Sequence, residues 1–170
     1  LEGQLENIEK CDTLYELGEI HEELVRERYL RPEKAQSPKP AKKQSAPMRF
    51  LSSDGVPIYV GKNNRQNDAL TFQTARPDNL WLHAKNIPGS HVVVECSGDP
   101  PDNTLREAAM LAAYYSQARA SSGVPVDYTP RKFVKKPSGS RPGMVVYTTN
   151  RTIYVSPDAA LVQKLRSGAE

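Results

Sequence analysis

Large aromatic and reactive side chains are scarce in this chain. Among 170 residues there are three Phe, one Trp, two Cys and three His. No apolar run approaches the roughly 20 residues needed to cross a bilayer, and no charged-then-apolar start marks a secretory leader, so membrane insertion is not expected. Cys11 and Cys96 lie far apart in segments of different character, which argues against a disulfide and for reduced thiols in a cytoplasmic setting. Catalytic patterns are missing too: there is no Gly-x-Ser-x-Gly elbow and no Walker spacing. His83, His91 and Cys96 match no zinc spacing, so hydrogen-bonding histidines facing each other across the Pro88-Gly89 turn are the first reading and a His83, His91 metal site a minor one. The expectation is a chain without catalytic residues, metal or cofactor.

What is present is uneven. A mass of 18.9 kDa suits one domain and an appendage, while 14 Pro and a mean hydropathy of -0.63 place part of the chain outside any core. The start at Leu1 rather than Met predicts a piece of something longer. Residues 1 to 35 hold ten acids against five Lys or Arg, a balance of -5, and the rest of the chain carries +8. Leaving out Lys39, Lys42 and Lys43, residues 48 to 170 still carry +5, a basic bias that suits a phosphate-rich partner.

The pattern divides the chain into three parts. Residues 1 to 31 read as helix, with Leu1, Leu5 and Ile8 on one stripe and Leu14, Leu17, Leu24 and Tyr29 continuing it after a phase slip near Cys11. Thr13 with Glu16 fits a capping box, so either two helices or one with a stutter forms. The thin stripe predicts pairing with a coiled-coil helix missing from this chain; packing of the acidic helix on the basic body is the other reading. Pro32 closes the helix, and residues 32 to 47, rich in Pro, Lys and Ser, read as a flexible linker.

Residues 48 to 170 predict an α+β domain with a mainly antiparallel sheet and one dominant helix. Met48 to Ser53 and Val56 to Gly61 form a hairpin at Asp54-Gly55. Asp68 to Ala75 is either helical or loop. Leu80 to Ala84 and Ser90 to Cys96 are strands around an Asn-Ile-Pro-Gly turn, and Leu105 to Gly123 is the clearest helix. Val126 to Lys136 and Met144 to Ser156 are strand-like, the second a hairpin turning at Thr149-Asn150-Arg151, and a short helix covers Asp158 to Arg166.

Two stretches, Ser53 to Asp68 and Asn79 to Glu95, pack Gly, Asn, Gln, Lys, His and the sole Trp against these strands. Cations such as Lys62, Arg65, Lys85, Arg131, Lys135, Lys136 and Arg141 interleave with Asn63, Asn64, Gln66 and Asn67 and with aromatic groups, as RNA-binding surfaces do: cations for phosphates, amides for base edges or 2′-hydroxyls, rings for stacking. Trp81, in an apolar strand, reads first as core. The amides of Gly61 to Asn64 suit an anion-binding concavity.

Val60 to Asp68 (VGKNNRQND), Trp81 to Lys85 (WLHAK), Pro88 to Val92 (PGSHV) and Val134 to Pro137 (VKKP), in this order, resemble the NFACT-R domain of the NFACT family, the RqcH and fibronectin-binding-protein-A-like proteins of bacteria, over residues 48 to 157. Leu17 to Pro32 is similar to the end of the coiled coil preceding that domain. The resemblance implies a non-catalytic, ribosome-associated module of cytoplasmic quality control, with large-subunit ribosomal RNA and tRNA as partners and C-terminal alanine tailing of stalled chains as the process served. It also implies an alternative, a cell-surface adhesin that binds fibronectin. The family's N-terminal domain is absent here. The RNA-contacting residues expected on these motifs are Lys62, Asn63, Asn64, Asn67, His83, Lys85, Ser90, His91, Lys135 and Lys136.

Overall fold

The turn chemistry at Asp54-Gly55 sets one edge of the sheet. Gly55 takes φ 77°, and strands β1 (Met48–Leu51) and β2 (Pro57–Val60) pair antiparallel around it. The computed structural model describes residues 2 to 30 and 45 to 170. Strands β3 (Leu80–Ala84), β4 (Val92–Val94), β5 (Val124–Pro130) and β8 (Arg151–Val155) complete a six-stranded antiparallel sheet in the order β1-β2-β4-β3-β5-β8. A short ribbon of β6 (Val134–Lys135) and β7 (Val146–Tyr147) stands apart from it.

Alternation along the strands sends side chains to two faces. Phe50, Ile58, Val60, Leu80, Leu82, Val92 and Val126 line one face, where helix α4 (Asp102–Tyr114) lays down Ala108, Ala109, Leu111, Ala112 and Ala113. The small alanine side chains let the helix approach the sheet closely, and every one of these residues is buried. Helix α5 (Ala159–Ser167), capped by Asp158, adds Val162 and Leu165 to the same core beside β1. The opposite face carries a smaller cluster of Trp81, Val93, Leu70 and Val134, with Tyr59, Phe72 and Tyr147 against it. This second face holds the candidate site.

Two expectations about element ends are corrected and one left open is resolved. Helix α4 stops at Tyr114 rather than reaching Gly123, because Ser116 bridges to Gly89: Ser90 N–H donates to the Tyr115 carbonyl (3.0 Å) and Gln117 N–H to that of Pro88 (3.0 Å). The arms of the expected 144 to 156 hairpin do turn at Thr149, which takes φ 57°, but they separate, β7 pairing with β6 and β8 with β5. Asp68 to Ala75 is helical: α3 (Asn64–Ala69) runs into a π-helical turn over Leu70–Thr74.

At the N-terminus, α1 (Glu2–Glu9) and α2 (Leu14–Arg26) are two helices, with Thr13 capping the second through the Glu16 N–H (3.2 Å). The second ends before Pro32 is reached, at a turn where Arg28 takes φ 65°. Leu1 and residues 31 to 44, including most of the expected linker, lie outside the described residues. Its last part is tied down: Ser45 donates through its N–H (2.8 Å) and Oγ (2.6 Å) to Glu19.

The two helices bury much of their polar side and leave part of their apolar stripe exposed, while Ile20 and Leu24 of α2 are buried. Gln4, Asn7, Lys10, Glu16, Glu19 and Glu23 are buried, whereas Leu5, Ile8 and Leu17 are exposed and Leu14 is 87 % exposed. Of the two readings, pairing with an absent helix and packing on the basic body, the second describes the acidic face, which docks on the body. Opposite charges contribute, since Glu16 pairs with Lys62, and Glu23 accepts from the backbone N–H of Arg65 (2.9 Å).

Candidate nucleic-acid interface

The second face of the sheet is built around Trp81, which is fully buried. His83, two residues along β3, lies with its ring plane within 6° of the indole at a centroid distance of 5.8 Å. His91 meets both edge-on, 5.3 Å from Trp81 and 5.6 Å from His83, so the two histidines do face each other across the Pro88-Gly89 turn. Tyr147 closes the cluster 4.9 Å from the indole, its hydroxyl donating to buried Asp127 (2.6 Å).

Both histidines are held neutral. Burial pushes the His91 pKa down to about 3, with His83 nearby adding to the effect, and burial lowers that of His83 too. The Gly143 carbonyl only accepts, so His91 Nε2 carries the proton and donates to it (3.0 Å), leaving Nδ1 to accept from the Thr71 hydroxyl (2.8 Å). His83 Nδ1 donates to the Ala84 carbonyl (2.6 Å). These bonds make His91 a structural tie rather than a ligand, and no group of three or more His, Cys, Asp or Glu able to hold a metal occurs among the described residues.

Residues 136 to 145 arch over this face. Asp68 anchors the arch by accepting from Lys136 Nζ (2.6 Å) and from the Gly143 N–H (2.8 Å). Between arch and sheet lies a cavity of about 290 Å³ lined by Trp81, His83, Asn86, Ile87, Met144 and Tyr147, among others. It adjoins a second hollow that shares His83, Gly143 and Met144 with it and reaches Asn64 and Arg141. Arg141 is exposed, donates to the Tyr29 hydroxyl (2.9 Å) and lies 5.8 Å from that ring.

The residues expected to contact RNA divide into two groups. Asn63, Asn67, Ser90 and His91 are buried and bonded within the chain, which corrects their expected place at the surface. Asn63 caps α3 through the Gln66 N–H (2.9 Å) and donates to Glu19 (3.2 Å). Asn67 Oδ1 accepts from the His91 N–H (3.2 Å), and Ser90 Oγ donates to the Gly61 carbonyl (2.7 Å). Lys62 is largely covered by α2: burial acts to raise the Glu16 carboxyl, but hydrogen bonds from Lys62 and the Asp12 N–H outweigh it and hold the pKa below the ordinary range. The Gly61 and Lys62 amides are likewise taken within the chain, by the His91 carbonyl (3.1 Å) and the Gln66 side-chain oxygen (2.9 Å).

The second group is more accessible, and of it His83 lines the cavity and Asn64 the adjoining hollow. His83 and Asn64 are partly accessible, Lys85, Lys135 and Lys136 are exposed, and neither Lys85 nor Lys135 forms an ion pair among the described residues. Asn86 and Met144 at the rim, and Tyr147, were not expected from the motifs. Asn86 takes φ 56°, a left-handed turn position that Asn tolerates, and Met144 is 57 % exposed directly after Pro142-Gly143. An Asn after Lys and a Met after Pro-Gly were the available signals.

A sheet face carrying neutral rings, an amide and exposed cations has the make-up of a binding surface. Comparison with known proteins agrees with that class. A family model described as the NFACT protein RNA binding domain matches residues 46 to 148, and the chain belongs to this family. The Rqc2 homolog RqcH of Bacillus subtilis is 49 % identical over 152 residues, covering 89 % of this chain and 26 % of the relative. The Rqc2 homolog RqcH of Streptococcus pneumoniae is 44 % identical over 154 residues, covering 90 % of this chain and 27 % of the relative. The chain therefore spans about a quarter of the length of the curated relatives it matches. A solved structure, the C-terminal part of the fibronectin/fibrinogen-binding protein from Streptococcus suis, superposes with a TM-score of 0.87 at 42 % identity, covering 97 % of this chain and 66 % of that one. No helix among the described residues is long and apolar enough to cross a membrane.

Proposed function

We propose that this chain is the non-catalytic RNA-binding module of a cytoplasmic, ribosome-associated quality-control factor. In this reading it binds ribosomal RNA of the obstructed large subunit and tRNA, and serves C-terminal alanine tailing of stalled chains. The observation that carries it is the second sheet face, where a ring-lined cavity adjoins a hollow reached by the exposed Arg141, with Lys85 directly after β3 and Lys135 on β6 also exposed. Membership of an RNA-binding family and the ribosome quality-control names of the relatives support the same reading. The exposed stripe of Leu5, Ile8, Leu14 and Leu17 supports a coiled-coil partner helix.

The test is binding of the 170-residue chain to ribosomal RNA and tRNA fragments across salt. If the face neutralises about five phosphates, the log-log slope is roughly -3.5 to -4.5. Affinity indifferent to salt contradicts the reading. The Streptococcus suis structural relative, by its name, favours fibronectin as a second partner. Fibronectin capture above that of charge-matched control domains supports it, and capture equal to the controls removes it.

A further inference from the structure

The cavity under the arch has the chemistry of a specific ligand site. Trp81 lines it, and the indole N–H of this fully buried residue has no acceptor. A buried donor left unpaired is unusual and destabilising, and the cavity lies against the ring that carries it. The neighbouring rings, His83 and His91, are neutral, and Asn86 offers both an amide donor and a carbonyl acceptor at the rim. Met144 and Ile87 supply apolar contact, and Arg141 stands in the adjoining hollow.

We propose that the cavity bounded by Trp81, His83, Asn86 and Met144 receives a single unpaired nucleobase, with Arg141 on the attached phosphate. A nucleobase is flat and uncharged and carries donors and acceptors on its edge. Such a group meets what the site offers: aromatic walls, an amide at the rim and a cation in the adjoining hollow. A charged side chain is poorly suited, because the neutral, buried rings supply no compensating charge. Unpaired bases are also the part of RNA that proteins read by stacking and edge contacts. The proposal rests on the RNA-binding reading of this face, and it adds the place where one base enters.

Trp81 is the sole tryptophan, so its fluorescence reports the cavity directly. The full chain is titrated with adenosine and uridine monophosphates, with short single-stranded ribo-oligomers, and with an abasic oligomer of equal length and charge. Saturable change of Trp81 fluorescence with the base-bearing oligomers, and roughly tenfold weaker binding of the abasic one, supports the proposal. A saturable response to monophosphates alone supports the base pocket with free nucleotide as its source. Equal binding of base-bearing and abasic oligomers without a fluorescence change overturns the pocket and leaves RNA binding standing. No binding of any of them overturns both. Asn86→Gly, which keeps the left-handed backbone accessible, and Met144→Glu, at an exposed rim position, are each expected to remove about tenfold of the base-dependent affinity without shifting the melting temperature. Unchanged base-dependent binding in both folded variants contradicts the assignment.

Discussion

Lys10 Nζ donates to Ser90 Oγ at 2.7 Å, joining the first helix to the Pro-Gly turn of the sheet 80 positions away. Burial pushes the Lys10 pKa down to about 8, with the nearby Glu6 acting against that shift. Below the folded pKa both folded and unfolded chains carry the charge, and the burial penalty is fully present. Between about pH 8 and the unfolded value of 10.5 the unfolded chain holds more protons, so stability rises with pH.

The matching prediction compares the wild type with Lys10→Met. The difference cancels the tyrosines that titrate in the same range. It is expected to shift in favour of the wild type by about 2–3 kcal/mol from pH 8 to 10.5, read by denaturant unfolding. A pH-independent difference would mean that Lys10 is not buried as described.

His91 gives the acid limb. Its folded pKa lies near 3, below the unfolded value of 6.5, so protonation is taken up on unfolding. Stability is complete above pH 6.5 and falls as pH drops towards 3, by a few kcal/mol in total. His91→Gln, followed by thermal melts between pH 7 and 4, should flatten this part of the profile relative to the wild type.

Glycine substitutions separate a tight approach from an open helix site. A Cβ on Gly61 would lie 2.0 Å from Asn67 Oδ1, the acceptor of the His91 N–H, so Gly61→Ala should lose about 2 kcal/mol or more. A Cβ on Gly18, inside α2, meets nothing within 4 Å, and Gly18→Ala should gain roughly 0.5–1 kcal/mol. Chemical denaturation of both variants checks the pair.

Local rules made much of the fold legible. Asp54-Gly55, the Ala-rich helix and the alternating strands each carry their own signal. What failed was competition between distant segments: Ser116 leaves α4 to bridge Gly89, and β7 leaves its hairpin partner for β6. The candidate site was half legible for the same reason. The motifs point to the right stretch, but Asn, Ser and His can serve as framework bonds as well as contacts. Only their burial shows that Asn63, Asn67, Ser90 and His91 hold the loops in place, while Lys85 is exposed and His83 lines the cavity. The pairing of an acidic helix with Lys62 depends on charges about 46 positions apart, which no periodicity reports.

Lys62 therefore separates framework from interface. Lys62→Met removes the pair with Glu16 and is expected to loosen the docking of α2, seen as faster hydrogen exchange over residues 14 to 26, with RNA affinity retained. The triple variant Lys85→Glu, Lys135→Glu and Arg141→Glu should keep its melting temperature and lose most RNA affinity, with the salt slope reduced by about 2–3.

The most direct test of the whole account is ultraviolet cross-linking of the chain to bound ribosomal RNA, with the adducts mapped by mass spectrometry. Adducts concentrated in residues 81 to 91 and 131 to 147 are the predicted result. Adducts concentrated instead on α4 and α5, with those two segments unmodified, would contradict it.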